Sequence, residues 1–116
     1  MKVKKQIKLN GKQYTVSFGI NQTILYCQQR DISVTTMNEE MKLIRDDISI
    51  TRDLIWSALK DGARLSGKEF DMTPEQVGDM MDEATPEEMH DFFTAFGGGD
   101  KPISGKRVTG KKKSSS

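Results

Sequence analysis

His90 is the only histidine of the chain and Cys27 the only cysteine. An imidazole can serve as a general base and a thiolate as a nucleophile, so the pair could in principle form a catalytic dyad. Asp91 adjoins His90, and Glu87 lies three residues before it on the same helical face. A single histidine on an acid-rich helix nevertheless reads as a surface residue. The chain has no Gly-x-Ser-x-Gly, P-loop or dinucleotide fingerprint to support an enzyme. Gly97-Gly98-Gly99 lacks the preceding strand and following helix that a phosphate cradle needs. One cysteine permits neither an intramolecular disulfide nor a cysteine-based zinc site. The acidic run has calcium-loop composition, yet Asp79-Met80-Met81-Asp82-Glu83 does not place oxygen ligands at alternating positions around a central glycine. The expectation is a protein with no catalytic residue, cofactor or metal.

Charge is the more informative pattern. The net charge of +1 over 116 residues conceals a segregation. Residues 1–12 hold five lysines and no acid. Ten carboxylates and no lysine or arginine fall between Glu69 and Asp100, and six cations and no acid follow from Lys101. The basic end, Lys106-Arg107 with Lys111-Lys112-Lys113, could neutralise phosphates, which makes a small nucleic-acid-associated regulator the alternative reading. Against it, residues 1–100 carry 12 cations and 17 acids, and the basic end has no interleaved aromatic residues. No stretch approaches the roughly 20 apolar residues of a membrane span. Polar residues interrupt any signal-peptide core after Met-Lys-Val-Lys-Lys, so a soluble, intracellular protein is expected.

These groups need elements to position them. Val3, Ile7 and Leu9 share one parity, and Tyr14, Val16, Phe18 and Ile20 share another, on either side of Asn10-Gly11. Period-two alternation around Asn-Gly predicts a hairpin with strands over 2–9 and 12–19. A short helix over 22–30, capped by Asn21, would turn Ile24, Leu25 and Cys27 inward. A second opens at Ser33 or Thr35, carries Met37, Met41 and Ile44 on one face, and closes at Asp46-Asp47. The third, over 50–65, has Ile50, Leu54, Ile55, Ala58, Leu59 and Leu65 as its stripe, a cap at Ser49 or Thr51, and Ser66-Gly67 as its stop. Trp56 lies off the centre of that stripe, beside Arg52 and Lys60. Two further helices, over 74–83 and 86–96, both open with Thr-Pro-Glu. Thr is a good N-cap, Pro suits the first helical position, and Glu complements the helix dipole there. The expected architecture is α+β: a single domain over 1–97, with an N-terminal hairpin packed on four or five helices, then a disordered basic tail over 98–116.

The seven Met and five Phe of the chain concentrate on short acidic helices. Core packing accounts for most of them. Short helices with flexible Met side chains also make adaptable apolar grooves, and acid around a groove discourages self-association and steers basic partners. On this reading the contact surface comprises Trp56, Met80, Met81, Met89, Phe92, Phe93 and Phe96, rimmed by Asp79, Asp82 and Glu88.

The order of elements also carries a likeness. Gly11-Lys12-Gln13-Tyr14-Thr15-Val16-Ser17-Phe18 is followed by Asp31-Ile32-Ser33-Val34, then Leu54-Ile55-Trp56-Ser57-Ala58-Leu59-Lys60, then Thr73-Pro74-Glu75-Gln76-Val77-Gly78-Asp79-Met80-Met81-Asp82. In this order, over about residues 5–96, the chain resembles the tail assembly chaperones of long-tailed bacteriophages and related gene transfer agents. It departs at Asp31, where a glycine is usual. The resemblance implies a non-enzymatic protein of the bacterial host's cytoplasm. Such a protein binds and solubilises the tape measure protein, helps recruit tail tube protein, and self-associates. It also implies a second, longer form made by a ribosomal frameshift in many members. Many weak apolar contacts from many copies would cover a long apolar-patterned helix in that role.

Overall fold

The computed structural model describes residues 3–97. The expected disordered tail over 98–116 lies outside the described residues. The order is β1 (Val3–Leu9), β2 (Lys12–Phe18), α1 (Ile20–Arg30), α2 (Val34–Met41), α3 (Ile48–Leu65), α4 (Pro74–Glu83) and α5 (Pro86–Gly97). The class is α+β, with a two-stranded antiparallel hairpin and five helices. Among the described residues no helix is long and apolar enough to cross a membrane.

Asn10 and Gly11 make the hairpin turn with φ of 52° and 78°, both positive as a two-residue turn of the right twist requires. The register pairs Leu9 with Lys12, Ile7 with Tyr14 and Val3 with Phe18. Cross-strand partners share a face, so Ile7, Leu9, Val16 and Phe18 come to one side, and all four are buried. α3 is the central helix. It packs on β2, α1 and α4, and its Ile50, Leu54, Ile55, Ala58 and Leu59 are sealed in one core with the hairpin residues. α3 comes so close to β2 that a Cβ on Gly62 would overlap the Thr15 carbonyl and the Val16 backbone. Glycine is required there for the approach of two backbones.

α1 differs from the sequence expectation in its cap and in its buried face. It starts at Ile20 after an extended Gly19, so Asn21 lies within the first turn and caps nothing. Ile24, expected inward, is 44% exposed, while Gln22 and Tyr26 are buried. The inward face is built for hydrogen bonds. Gln22 Nε2 donates to Ser57 Oγ (2.8 Å), and Tyr26 Oη donates to Glu40 Oε1 (2.8 Å). Arg30 completes the row, reaching Glu40 at 2.8 Å and Asp53 at 2.8 Å. One guanidinium thus ties α1, α2 and α3 together. Burial works against its charge, but the bonds to Glu40 and Asp53 outweigh that and hold it protonated.

Two further boundaries shift. α2 is capped by Ser33, whose Oγ accepts from Thr36 N, and it ends at Met41, leaving Ile44 in a turn. Asp47, expected to close the second helix, opens the third: its Oδ1 accepts from Ser49 N (3.0 Å) and Ser49 Oγ (2.6 Å). Those bonds hold its carboxyl below the usual range. Asp31, where the resembling family carries glycine, still turns left-handed with φ of 57° and ψ of 52°.

Two outcomes follow from these backbone constraints. Gly62→Ala should lower unfolding free energy by about 1–3 kcal/mol, the usual range for forcing atoms into a packed site, in urea denaturation. Asp31→Gly should raise it by up to about 1 kcal/mol, because glycine adopts the left-handed turn without a Cβ penalty.

Candidate functional site

The Thr-Pro-Glu starts of α4 and α5 form two capping boxes with different second halves. In α4, Thr73 Oγ1 accepts from Gln76 N (3.1 Å) and Gln76 Oε1 accepts from Thr73 N (2.9 Å). In α5, Thr85 Oγ1 accepts from Glu88 N (3.1 Å) and Glu88 Oε1 accepts from Thr85 N (3.0 Å). Glu88 does more than close the box. Its Oε1 also accepts from Asn10 N at 3.0 Å, and its Oε2 accepts from Gly11 N at 3.2 Å. The hairpin turn is therefore bonded to the start of α5. The backbone donors of Thr85, Gly11 and Asn10, with Lys8 nearby, hold the Glu88 carboxyl below its ordinary value. Expected on the acidic rim of a groove, Glu88 is instead buried and spent within the fold.

Phe92 follows Glu88 by one turn and enters the core, fully buried, with its ring edge-on to Phe18 at 5.7 Å. Phe96 packs on Phe18 at 5.3 Å and remains partly exposed. Met80 is 7% exposed and also belongs to the core. Phe92 and Met80 were expected on the contact surface; both are enclosed in the monomer, because α4 and α5 need apolar residues beneath them to stay attached. Trp56 stands apart from the others. Its Nε1 donates to Met72 O (3.0 Å), and Lys60 Nζ lies 5.6 Å from its ring centre, so it props the chain between α3 and α4.

The remaining expected residues do come together. A hollow of about 570 Å³ is lined by Ile48, Ser49, Arg52, Glu75, Gly78, Asp79, Met81, Asp82 and Met89. A second, of about 610 Å³, is lined by Ile44, Arg45, Ile48, Thr51, Met89, His90, Phe93 and Phe96. They share Ile48 and Met89, so the two adjoin as a cleft with the start of α3 on one side and α4 and α5 on the other. Asp79, Met81 and Asp82 stand at one end, Phe93 and Phe96 at the other, and Met89 in the middle. Ile48 is 71% exposed and lines both hollows.

Sequence reasoning missed the opposite wall of this cleft. Ile48 precedes the expected start of the third helix, and Ile44 was assigned to the stripe of the second. The available signal was the four-residue spacing of Ile44 and Ile48, neither of which fits the buried stripe through Ile50, Leu54 and Ala58.

A Cys27–His90 dyad is not formed. Cys27 is buried, its Sγ is 3.8 Å from Met37 Sδ, and burial, with Glu40 nearby, pushes its thiol up, away from thiolate. His90 is exposed on α5, with Thr94 Oγ1 at 3.5 Å. Among the described residues no three His, Cys, Asp or Glu side chains converge as metal ligands. No family model, curated protein or solved structure matches the chain.

The Glu88 contacts carry a pH consequence. A carboxyl whose folded pKa is depressed stabilises the fold fully above the ordinary value of 4.5, and the contribution is lost as pH falls through the folded value. Glu88→Gln should therefore unfold at lower temperature than the parent near pH 7. The gap between the two melting midpoints should narrow at about pH 3. A gap of unchanged size at both pH values would contradict the assignment.

Proposed function

We propose that this protein is a tail assembly chaperone of the bacteriophage type, acting in the cytoplasm of a bacterial host. It holds apolar helical segments of a tape measure protein in the cleft that α3, α4 and α5 line and keeps that partner soluble while tail tube protein is recruited. Its work is reversible binding rather than catalysis. The observation that carries this reading is the cleft itself: a run of solvent-accessible apolar side chains from Met81 through Met89 and Ile48 to Phe93 and Phe96. Flexible thioether and phenyl groups suit partner segments of varied sequence. The resemblance in element order supports the same role. Self-association would present many such clefts along one partner, and many weak contacts then add to firm retention.

The test is co-expression with a long helical tape measure protein, scored by how much of it stays soluble. The parent chain should keep it soluble, and Ile48→Glu should not. Because Ile48 is largely exposed, the substitution should change stability by no more than about 0.5 kcal/mol, so lost activity would reflect the cleft. Ile20→Glu, at a position 77% exposed on α1 and outside the cleft lining, should behave as the parent does. Equal solubility with the parent and with Ile48→Glu would count against the reading.

A further inference from the structure

The two edges of the hairpin are treated differently by the rest of the fold. In a hairpin closed by a two-residue turn, opposite residues alternate between exchanging hydrogen bonds and turning their N–H and C=O groups outward. Leu9–Lys12, Ile7–Tyr14 and Lys5–Val16 exchange bonds, so Lys4, Gln6 and Lys8 point theirs away from β2. Their partners Ser17, Thr15 and Gln13 point away from β1, and α3 covers that side: the Thr15 carbonyl lies where a Cβ on Gly62 would stand, and Ser17 is buried. The β1 edge is open. Lys4, Gln6 and Lys8 are all exposed, and among the described residues their backbone groups make no hydrogen bond outside the hairpin. α5 contacts β1 and still leaves a hollow of about 330 Å³ along residues 5–8.

Charge says what fits there. Residues 3–18 hold four lysines, Lys4, Lys5, Lys8 and Lys12, and no acid. All four are exposed, and among the described residues none has an ion-pair partner. Two acids of α5 adjoin them. Asp91 lines the hollow, and Glu88 lies near Lys8 with its oxygens taken up by Thr85, Asn10 and Gly11. The balance along the strand stays positive. A second copy does not match it: two β1 edges paired antiparallel about Gln6 would set Lys4 of each copy beside Lys8 of the other, and like charges directly opposite are destabilising. Nor does the chain's own end, which has six cations and no acid from Lys101. We propose that β1 takes an acidic extended segment of a separate protein as a third strand, its backbone bonded to Lys4, Gln6 and Lys8 and its carboxylates beside the lysines. No residue of β1 lines the cleft, so the inference stands apart from the docking reading above.

The experiment uses the full-length chain and a fluorescent cyclic hairpin peptide whose outer strand alternates Glu and Thr. At about 50 mM salt it should bind roughly tenfold tighter than the same peptide with Gln in place of Glu. N-methylation of the outward amides of that strand keeps every charge but blocks pairing, and should abolish binding. Amide hydrogen exchange at Lys4, Gln6 and Lys8 should slow at saturating peptide. Gln6→Pro removes an outward N–H and no bond between the strands, so it should also abolish binding, whereas Ile48→Glu should leave it unchanged. Undiminished affinity of the N-methylated peptide, or amides that exchange as before, would reduce the contact to charge attraction and overturn the strand pairing. Equal affinity of the Gln peptide would overturn the acidic partner. Binding lost in Ile48→Glu would move the peptide to the cleft and overturn the edge site. Failure of both peptides to bind would overturn the proposal outright, as would protection of the same amides by a second copy at high protein concentration.

Discussion

One carboxylate holds the two ends of this domain together. Glu88 accepts hydrogen bonds from the backbone of Thr85, Asn10 and Gly11, so it joins a helix start to a hairpin turn 78 residues away. Asn10, Gly11 and Thr85 are themselves exposed, so Glu88 replaces water at their N–H groups with one charged acceptor that is fixed in place. α5 makes its main contacts with β1, and its hold on the hairpin comes from Glu88 at one end and from Phe92 and Phe96 on Phe18 further along. The position of the cleft wall depends on that hold. It also explains why the two Thr-Pro-Glu starts differ at the third helical position. Gln76 closes its box alone, whereas the second position needs two acceptor oxygens and a charge.

The cleft and the core are adjacent faces of the same helices. A helix turns by about 100° per residue, so neighbouring residues can face different surroundings. Met80 goes into the core and Met81 lines the cleft; Phe92 goes into the core and Phe93 lines the cleft. Paired apolar residues at those two positions let each short helix anchor itself and still offer apolar surface. On the other side, α3 gives its buried stripe to the hairpin and α1, while Ile48 at its first turn stays outside. The Arg30 network fixes α2 against α3, and with it the turn that carries Ile44 and Arg45.

Much of the fold was legible because its signals are local. Asn10-Gly11 between alternating strands specifies a hairpin, and the Thr-Pro starts place α4 and α5 to the residue at their beginnings. The stripe of α3 follows from aliphatic spacing alone. What was illegible arises from contacts distant in sequence. The inward face of α1 consists of Gln22, Tyr26 and Arg30, and apolar periodicity cannot detect a face buried through hydrogen bonds. Asp47 and Asp31 sit among other turn formers, so their roles as cap and left-handed turn could not be assigned locally. For the candidate site, composition marked α4 and α5, but it could not separate Met80 from Met81 or Phe92 from Phe93. Nor could it show that Glu88 is committed to the hairpin turn. Those distinctions depend on how the helices are rotated against the core.

The claim that matters most is that the cleft lined by α3, α4 and α5 receives a helix. Methionine-methyl NMR of the full-length chain, titrated with an apolar amphipathic helix, reads it directly, because Met81 and Met89 line the cleft while Met37 and Met80 are buried elsewhere in the core. The account predicts that the Met81 and Met89 signals move on titration and that the Met37 signal does not. Movement of Met37 alone, or of no methionine at all at saturating peptide, would contradict it.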